Sequence, residues 1–352
     1  MLHRSSCRRA ILATALIAAL AGCGGTPPAD TSAGASANAE APAKAEAPAK
    51  AALPAGWQRV AGERMAPLHD LAAQLPARVL SDDGAEVSIT DTSRIIAGGD
   101  DVIAVIEALG MGARVYAAPL RSATEAGRRA PKQFLFNRTT GVEGVLSLEG
   151  TLFIGNSLRR HTDLAAKLRG AGQAAVVIDD LQPAPDKVRK VAAALGVAAA
   201  GEDLAKKVQA QLDDAARIAA ARPQHPRVIH LSASGAGGAP TVAGGDSASG
   251  KLIALAGGIN IGTEAGVANY SALSNEGVVA AAPDVILVSE NDLVLFGGEA
   301  GLWKAYPTLK QTPAGAANRV WVMPDVQLKA TSVDSGAGAL ALARALAALT
   351  QP

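Results

Sequence analysis

The chain has 352 residues, with 33 Lys and Arg against 32 Asp and Glu, so its formal net charge is only +1. It contains three Trp, three Tyr and four Phe, and no basic stretch is interleaved with aromatic residues. This balance argues against a nucleic-acid partner, and the length is sufficient for two lobes of ordinary size.

The N-terminal segment 1–22 has the features of a secretory signal. Three arginines precede an apolar run that is too short to cross a bilayer comfortably. Small residues then lead into Cys23, as at the processing site of bacterial lipoproteins, so we expect Cys23 to carry lipid. An ordinary signal peptide cut at a nearby site is the alternative. Because Cys7 would leave with the signal, no thiol would remain for a disulfide or a metal.

Residues 23–54 are mostly Ala, Pro, Gly, Lys and Glu, with almost no side chain large enough for a core. This composition predicts a disordered tether. We therefore expect an exported protein, anchored by lipid to a membrane and exposed on its periplasmic or cell-surface side.

Short β-branched runs in the remaining chain, each bounded by turn or cap residues, predict buried strands. They are residues 94–98, 114–118, 151–155, 174–179, 227–232, 284–289 and 319–323. Helical segments lie between them, and several begin at Asp or Ser and end at Gly. Strands that alternate with helices predict an α/β fold with parallel sheets and helical cover.

Residues 201–222 predict one long helix, because no Gly or Pro follows Gly201 until Pro223. Leu204, Val208 and later apolar residues recur on one face, and the helix would be about 33 Å long. This helix divides the chain after the tether into an N-terminal lobe, 55–200, and a C-terminal lobe, 223–352. A helix of this length predicts a ligand cleft between two Rossmann-like lobes.

The two predicted lobes contain the same sequence unit. The stretch TTGVEGVLSLEGTLFIG at 139–155 is echoed by ALSNEGVVAAAPDVILV at 272–288. Ala-Gly-Gly-Asp also occurs twice, at 97–100 and 243–246. Two matches in the same order indicate lobes of similar plan rather than coincidence in an Ala- and Gly-rich chain.

Motifs for catalysis are absent from the sequence. Neither Gly-rich stretch matches a phosphate loop or a dinucleotide fingerprint, and no His-Glu-x-x-His or Gly-x-Ser-x-Gly is present. We therefore predict a protein that is not an enzyme.

These segments together resemble the helical-backbone periplasmic binding proteins of ABC importers, the class that serves iron chelates, haem and cobalamin. Five segments are most similar to the haemin-binding branch: 141–155, 168–179, 187–208, 269–288 and 312–325. The similarity runs from about Thr92 to the C-terminus, and the order and spacing of the segments carry it. It implies haem as the transported ligand, no cofactor of the protein's own, and a permease dimer with its ATPase as partners.

The resemblance also implies roles for particular residues. In the family, a Glu on each lobe pairs with arginines of the permease, and Glu143 and Glu276 are the matching positions. The alternative is that each acid only favours the positive end of its helix. Relatives hold ferric iron through a phenolate, and Tyr270 lies where they place a C-lobe Tyr, so it is the predicted iron ligand. A Tyr that packs at the lobe edge is the alternative.

Other candidate ligand-binding residues match the pattern of the family less closely. His161 follows a strand that should end at the cleft, although a solvated helix start is its alternative setting. Four arginines, at positions 121, 138, 159 and 160, follow strands or lie at the top of the N-terminal lobe, where a guanidinium can pair with a haem propionate. Arg121 and Arg138 are the preferred candidates, and a surface position is the alternative for each. The N-lobe loop that should carry a Tyr, 117–134, has neither Tyr nor His, and 326–339 lacks the expected Gly-Phe-Gly-Pro-Arg turn. A siderophore–iron complex, cobalamin or a metal-free tetrapyrrole therefore remains an alternative ligand, and a haem store or sensor an alternative role.

Overall fold

The computed structural model describes residues 52–135, 141–233 and 240–349. The strands are β1 (Gln58–Arg59), β2 (Ala77–Leu80), β3 (Glu86–Ile89), β4 (Ile95–Ala97), β5 (Val115–Pro119), β6 (Lys132–Phe134), β7 (Leu152–Gly155), β8 (Ala174–Val177), β9 (Arg227–Ser232), β10 (Thr241–Ala243), β11 (Ile259–Asn260), β12 (Tyr270–Ser271), β13 (Val285–Ser289) and β14 (Val320–Met323). The helices are α1 (Asp100–Ala108), α2 (Glu125–Arg129), α3 (Val142–Leu146), α4 (Leu158–Gly170), α5 (Ala184–Ala194), α6 (Ala198–Ala220), α7 (Ala248–Leu255), α8 (Ile261–Glu264), α9 (Asn275–Ala281), α10 (Glu290–Phe296), α11 (Gly298–Ala305), α12 (Pro313–Ala316), α13 (Asp325–Leu328) and α14 (Ser335–Leu349). The predicted signal, Cys23 and Arg138 lie outside the described residues.

The N-terminal lobe is built on a five-stranded parallel sheet in the order β6-β5-β4-β7-β8. Alternate residues of β4 face opposite cores: Ile95 and Ala97 pack on one side of the sheet and Ile96 on the other. Chain order reverses between β4 and β7, which makes their carboxyl ends the place where this type of sheet binds ligands. The antiparallel pair β2–β3 packs beside this sheet.

The C-terminal lobe contains a mixed sheet in the order β1-β14-β13-β9-β10-β12, with β11 also paired to β9. Its central strands β9, β13 and β14 are parallel, whereas β10 runs antiparallel to both β9 and β12. The predicted α/β class with parallel sheets is confirmed, and the antiparallel edge strands of this lobe are an addition to it. They arise because β10 follows β9 after a connection too short for a helical crossover.

The start of the described chain belongs to the C-terminal sheet, although the predicted boundary placed it in the N-terminal lobe. Strand β1 pairs in parallel with β14, and Gln58 lies opposite Trp321. Trp57 is buried in the same core and its indole Nε1 donates to Asn318. The chain crosses afterwards to the other lobe, where Leu68 packs on the N-terminal core. Residues 57–60 are therefore corrected to the C-terminal lobe.

Helix α6 joins the two lobes. Leu204 and Val208 pack in the core of the N-terminal lobe, Ala215 packs in that of the C-terminal lobe, and Leu212 contacts both. The helix begins at Ala198, three residues before the predicted start, because Gly201 is an internal helix residue and not a breaker. A Cβ at Gly201 would lie 2.2 Å from Cβ of Ala192 on α5, so glycine permits the two helices to approach closely.

Among the described residues, we find no helix with the length and apolar character needed to span a membrane.

Candidate ligand cleft

A cavity of about 410 Å³ lies between the two lobes, within the range typical of small-molecule sites. The N-terminal lobe contributes residues that directly follow its strands: Asp100 and Asp101 after β4, Asn156 after β7, and Asp180 and Leu181 after β8. The cavity therefore opens at the point where chain order reverses in the sheet, where a doubly wound fold is expected to bind its ligand.

The C-terminal lobe forms the opposite wall. Asp246 and Ser247 follow β10, Tyr270 comes from β12, and Asp325 and Lys329 come from α13 and the residue after it. The repeated Ala-Gly-Gly-Asp thus delivers one aspartate to each wall.

The cavity wall is acidic. Five aspartates line it, against the two cations Arg160 and Lys329. Burial raises the pKa of the Asp100 carboxyl, and the negative charge of Asp325 in the other lobe adds to this shift, against hydrogen bonds from Ser122 and Ala123. Burial likewise raises the pKa of Asp180 and of Asp325. The two walls therefore repel each other when these carboxyls are ionised.

An ion pair occupies the floor of the cleft. Lys187 Nζ lies 2.5 Å from Oδ2 of Asp101, and both side chains are buried. The other oxygen of Asp101 accepts from Asn156 Nδ2 at 2.8 Å. Lys187 also donates to Thr331 Oγ1 at 3.2 Å, and the Thr331 hydroxyl donates to the carbonyl of Asp180 at 2.6 Å. Since Thr331 follows α13, these bonds connect the lobes at the base of the cleft.

A second buried acid lies behind the C-terminal wall. Asp292 accepts from Lys329 Nζ at 2.7 Å, from the Ser289 hydroxyl at 2.8 Å and from the Ser232 hydroxyl at 3.0 Å. Burial disfavours its ionised form, yet the charge of Lys329 and these bonds hold the pKa of Asp292 below its ordinary value. Lys329 is therefore held against the wall by its own lobe.

Tyr270 is the one tyrosine of the chain's three that lines the cleft. Its hydroxyl forms a 3.0 Å hydrogen bond with Ser249, whose own hydroxyl lies 2.8 Å from Nδ1 of the buried His230. The two rings meet edge to face with centroids 6.1 Å apart. Burial raises the pKa of Tyr270 to about 12, which favours the neutral phenol. Coordination of iron would therefore require the hydroxyl to leave Ser249 and lose its proton.

His161 is buried in the N-terminal lobe and does not line the cavity, contrary to both its predicted role as a ligand and its alternative as a solvated residue. Its ring packs edge to face on Phe153, with centroids 5.6 Å apart, and Nδ1 accepts from the backbone N–H of Asn156 at 3.1 Å. Burial and the nearby charge of Arg160 lower the pKa of His161 to about 4. The neutral ring is a structural support for the loop that follows β7.

Of the two predicted propionate-binding arginines, Arg121 is exposed and does not line the cavity. It occupies the left-handed backbone region with φ of 63° in the turn after β5. The adjacent Ser122 donates to Asp100, so Arg121 lies near the cleft without forming its wall. Arg160, in the first turn of α4, lines the cavity instead.

Apolar side chains also contribute to the cleft. Leu181, which is 53% exposed, lines the cavity together with Ala248, Val326 and Ala330. Two more exposed leucines, Leu120 and Leu135, directly follow β5 and β6 in the N-terminal sheet. Apolar side chains in an otherwise acidic wall fit a ligand with an extended apolar edge.

The two Glu-Gly-Val units form matching helices. Glu143 and Glu276 are both exposed in the first turns of α3 and α9, and Val145 and Val278, two residues later, are both fully buried. After each helix, one residue with positive φ comes three positions before the next strand, at Glu149 and at Ala282. The two acids therefore hold equivalent positions in the two lobes.

In the described part of the chain, no group of three or more His, Cys, Asp or Glu side chains is arranged to hold a metal ion.

Comparison with known proteins identifies the class of this cleft. A sequence profile described as periplasmic binding protein matches residues 95–326, about two thirds of the chain. The chain belongs to the periplasmic binding protein family. The family consists of exported proteins that bind ligands and do not catalyse reactions, as the sequence predicted.

Solved structures of periplasmic binding proteins refine the similarity. The haem-binding protein RhuT from Roseiflexus sp. RS-1, in its apo form, has 34% identity and a TM-score of 0.66, with 74% of this chain and all of RhuT aligned. BhuT in complex with two haems has 30% identity and a TM-score of 0.62, over 72% of this chain and 98% of BhuT. HutB of Vibrio cholerae has 27% identity and a TM-score of 0.58, over 74% of this chain and all of HutB. A search of curated proteins gave no match. The resemblance to the haemin-binding branch is confirmed.

The structure adds site residues that the sequence did not single out. Asp100 and Asp246 were visible as the ends of the repeated Ala-Gly-Gly-Asp, and that recurrence after a strand was the available signal. Lys329 and Thr331 lie in the segment where relatives have a different turn, so no pattern identified them.

Proposed function

We propose that this chain is the membrane-anchored substrate-binding lipoprotein of an ABC importer, which captures haem in the cleft and delivers it to a permease. The observation that carries the proposal is a cleft between the two lobes with Tyr270 in its wall and the exposed Leu181 beside it. The similar proteins RhuT, BhuT and HutB are haem-binding proteins, which supports the same ligand here.

Tyr270 is the proposed ligand of the haem iron. Phenolate is a hard oxygen donor that suits ferric iron, and this residue is the only tyrosine in the wall. Its hydroxyl would exchange the hydrogen bond to Ser249 for the metal. Leu181 in the same cavity would contact the apolar part of the tetrapyrrole.

Haemin titration of the purified protein tests the proposal. We expect the absorption band of haemin to shift and saturate with wild-type protein, and a Tyr270→Phe variant to lose the shift characteristic of phenolate ligation. Tyr116→Phe is the matched control, because Tyr116 lies under Arg94 and Lys132 in the N-terminal lobe and outside the cleft. A wild-type spectrum identical to that of free haemin would contradict the proposal.

The acidic wall favours a second candidate ligand of the same receptor. Five aspartates outnumber the cations Arg160 and Lys329 in the wall, and Lys187 neutralises only one of them, Asp101. An acidic wall suits cobalamin or an uncharged siderophore–iron complex better than a dicarboxylate. Competition of each compound against bound haemin distinguishes these ligands. Displacement by cobalamin at a lower concentration than by haemin itself would assign the cleft to a corrinoid.

Glu143 and Glu276 are the proposed contacts with the permease. Their equivalent, exposed positions in two similar lobes suit a partner with two-fold symmetry, since each acid would meet the same basic site. The double reversal Glu143→Lys with Glu276→Lys should abolish uptake and leave haemin affinity unchanged. Reversal of Glu63 and Glu86, which are also exposed, makes the same change in net charge and serves as control.

Uptake at the normal rate by the Glu143 and Glu276 double variant would refute the docking role. If the wild-type chain binds haemin but does not support uptake with any permease, the chain is a haem store or sensor.

Cys23 is the proposed lipid attachment point, with residues 24–54 as the tether. A Cys23→Ser variant should move from the membrane fraction to the soluble fraction of the exported protein, while its haemin affinity stays the same. Retention of the variant in the membrane fraction would contradict the anchor.

A further inference from the structure

The cations of the cleft differ in how firmly the protein holds them. Among the described residues that line the cavity, only Arg160 and Lys329 carry a positive charge. Lys329 donates to Asp292 at 2.7 Å and to Ser232 at 3.2 Å, and its side chain is mostly buried. Arg160 has only distant contacts: Nη2 lies 3.4 Å from Asn156 Oδ1 and 4.0 Å from Asp180 Oδ2.

The position of Arg160 adds to its availability. It is the third residue of α4, a helix of 13 residues with no acidic residue in its first turn, and the side chain of the preceding cap residue, Ser157, makes no capping bond. By contrast, α1 begins in the same cleft with Asp100 and Asp101. The start of α4 is thus an electropositive point on an otherwise acidic wall, where the helix dipole also favours an anion.

We infer that Arg160 binds a carboxylate of the ligand, which for haem is a propionate. The inference rests on the proposed function and adds the orientation of the ligand. The planar guanidinium can form two parallel hydrogen bonds to a carboxylate, which a lysine ammonium cannot. Leu181 lies beside Asp180 in the same wall and would contact the adjoining apolar edge of the ring.

Asp180 is the competitor that a ligand carboxylate must displace. Its separation from Arg160 is at the limit of an ion pair, and both side chains are about 40% exposed. Exposed pairs of this geometry contribute little free energy, so exchange of Asp180 for a ligand carboxylate with two hydrogen bonds is favourable. The remaining aspartates leave Arg160 as the point of least repulsion for an anionic group.

Haemin and its dimethyl ester together test the inference, because the ester lacks both carboxylates and keeps the ring and iron. The dissociation constant of each is measured by absorption titration for wild type, Arg160→Gln and Arg159→Gln. Arg159 is the matched control, since it is exposed on the same turn and does not line the cavity. We expect Arg160→Gln to weaken haemin binding about 10- to 100-fold, as for loss of a charged hydrogen bond, and to leave ester binding unchanged.

Arg160→Lys provides the geometric test, because it keeps the charge and loses the paired hydrogen bonds. We expect an affinity for haemin between those of wild type and Arg160→Gln. Equal losses of haemin and ester in Arg160→Gln, or no loss of either, would overturn the role of Arg160 while wild-type binding keeps the proposed function. A wild-type protein that binds neither compound would overturn the proposed function, and this inference with it.

Discussion

Replacement of Lys187 by Met should destabilise the protein strongly, because it removes one partner of the buried ion pair at the cleft floor. Lys187 is fully buried, and its Nζ is 2.5 Å from Asp101. In Lys187→Met the carboxylate of Asp101 would keep the hydrogen bond from Asn156 and lose its only counter-ion within 4.0 Å among the described residues.

The expected magnitude follows from the burial of the pair. Removal of one partner of a buried pair costs about 3–5 kcal/mol, whereas replacement of both by apolar or neutral groups of similar size is close to neutral. For a folded part of about 300 residues, 1 kcal/mol corresponds to roughly 2 °C, so Lys187→Met should lower the melting temperature by about 6–10 °C. The double variant Lys187→Met with Asp101→Asn should recover most of the loss.

Urea unfolding followed by far-ultraviolet circular dichroism measures these differences. Lys206→Met is the control, because Lys206 pairs with Glu202 at 3.8 Å on the exposed face of α6, and its loss should cost under about 1 kcal/mol. The reasoning would be refuted if Lys187→Met cost no more than Lys206→Met, or if the double variant were as unstable as the single one.

Three further predictions concern acid stability, helix packing and the cleft carboxylates. Burial lowers the pKa of His161 to about 4, so its stabilising contribution is complete above about pH 6.5 and is lost as pH falls toward 4, where the unfolded chain binds a proton that the folded chain excludes. His161→Gln should therefore flatten the pH dependence of the unfolding free energy in this window by about 1.4 kcal/mol per pH unit, and an unchanged slope would count against the buried neutral ring. Gly201→Leu should separate α5 from α6 and lower the melting temperature, whereas Ala210→Leu on the exposed face should not; equal melting temperatures would show that the helices do not meet at Gly201. Burial raises the pKa of the three cleft aspartates at positions 100, 180 and 325, so they become neutral at a higher pH than ordinary carboxyls. The affinity for metal-free protoporphyrin IX, measured by fluorescence, should therefore increase as the pH is lowered toward the pKa values of these carboxyls, and a decrease would contradict the repulsion between the walls.

The sequence predicted the central elements of the fold because their signals are local. All seven predicted strands are present, and β9 has the predicted bounds, since β-branched runs between turn and cap residues mark buried strands. Short strands such as β11 and β12 could not be predicted, because two residues are too few to show the alternation of buried and exposed side chains. The placement of β1 beside β14 could not be predicted, because the pairing joins residues more than 250 positions apart.

The candidate site was predicted only in part. Tyr270 was placed near the cleft by its position before the Glu-bearing helix, and the structure puts it in the wall. Its bond to Ser249 depends on the packing of α7 against the sheet, which no local pattern encodes. His161 and Arg160 are adjacent in sequence, and the helix turns one of them into the core and the other into the cleft. Which of two neighbours faces a ligand depends on the rotation of α4, and this is set by tertiary contacts.

The central claim is that the cleft between the lobes binds the ligand, and a blocked cleft tests it most directly. Ala248 lines the cavity at the start of α7, whereas Ala210 is exposed on α6. Haemin titration of Ala248→Trp and Ala210→Trp compares a large ring inside the cleft with the same ring outside it. We predict that Ala248→Trp loses haemin binding and that Ala210→Trp keeps wild-type affinity. Full affinity in both variants would show that haemin binds elsewhere and would contradict the account.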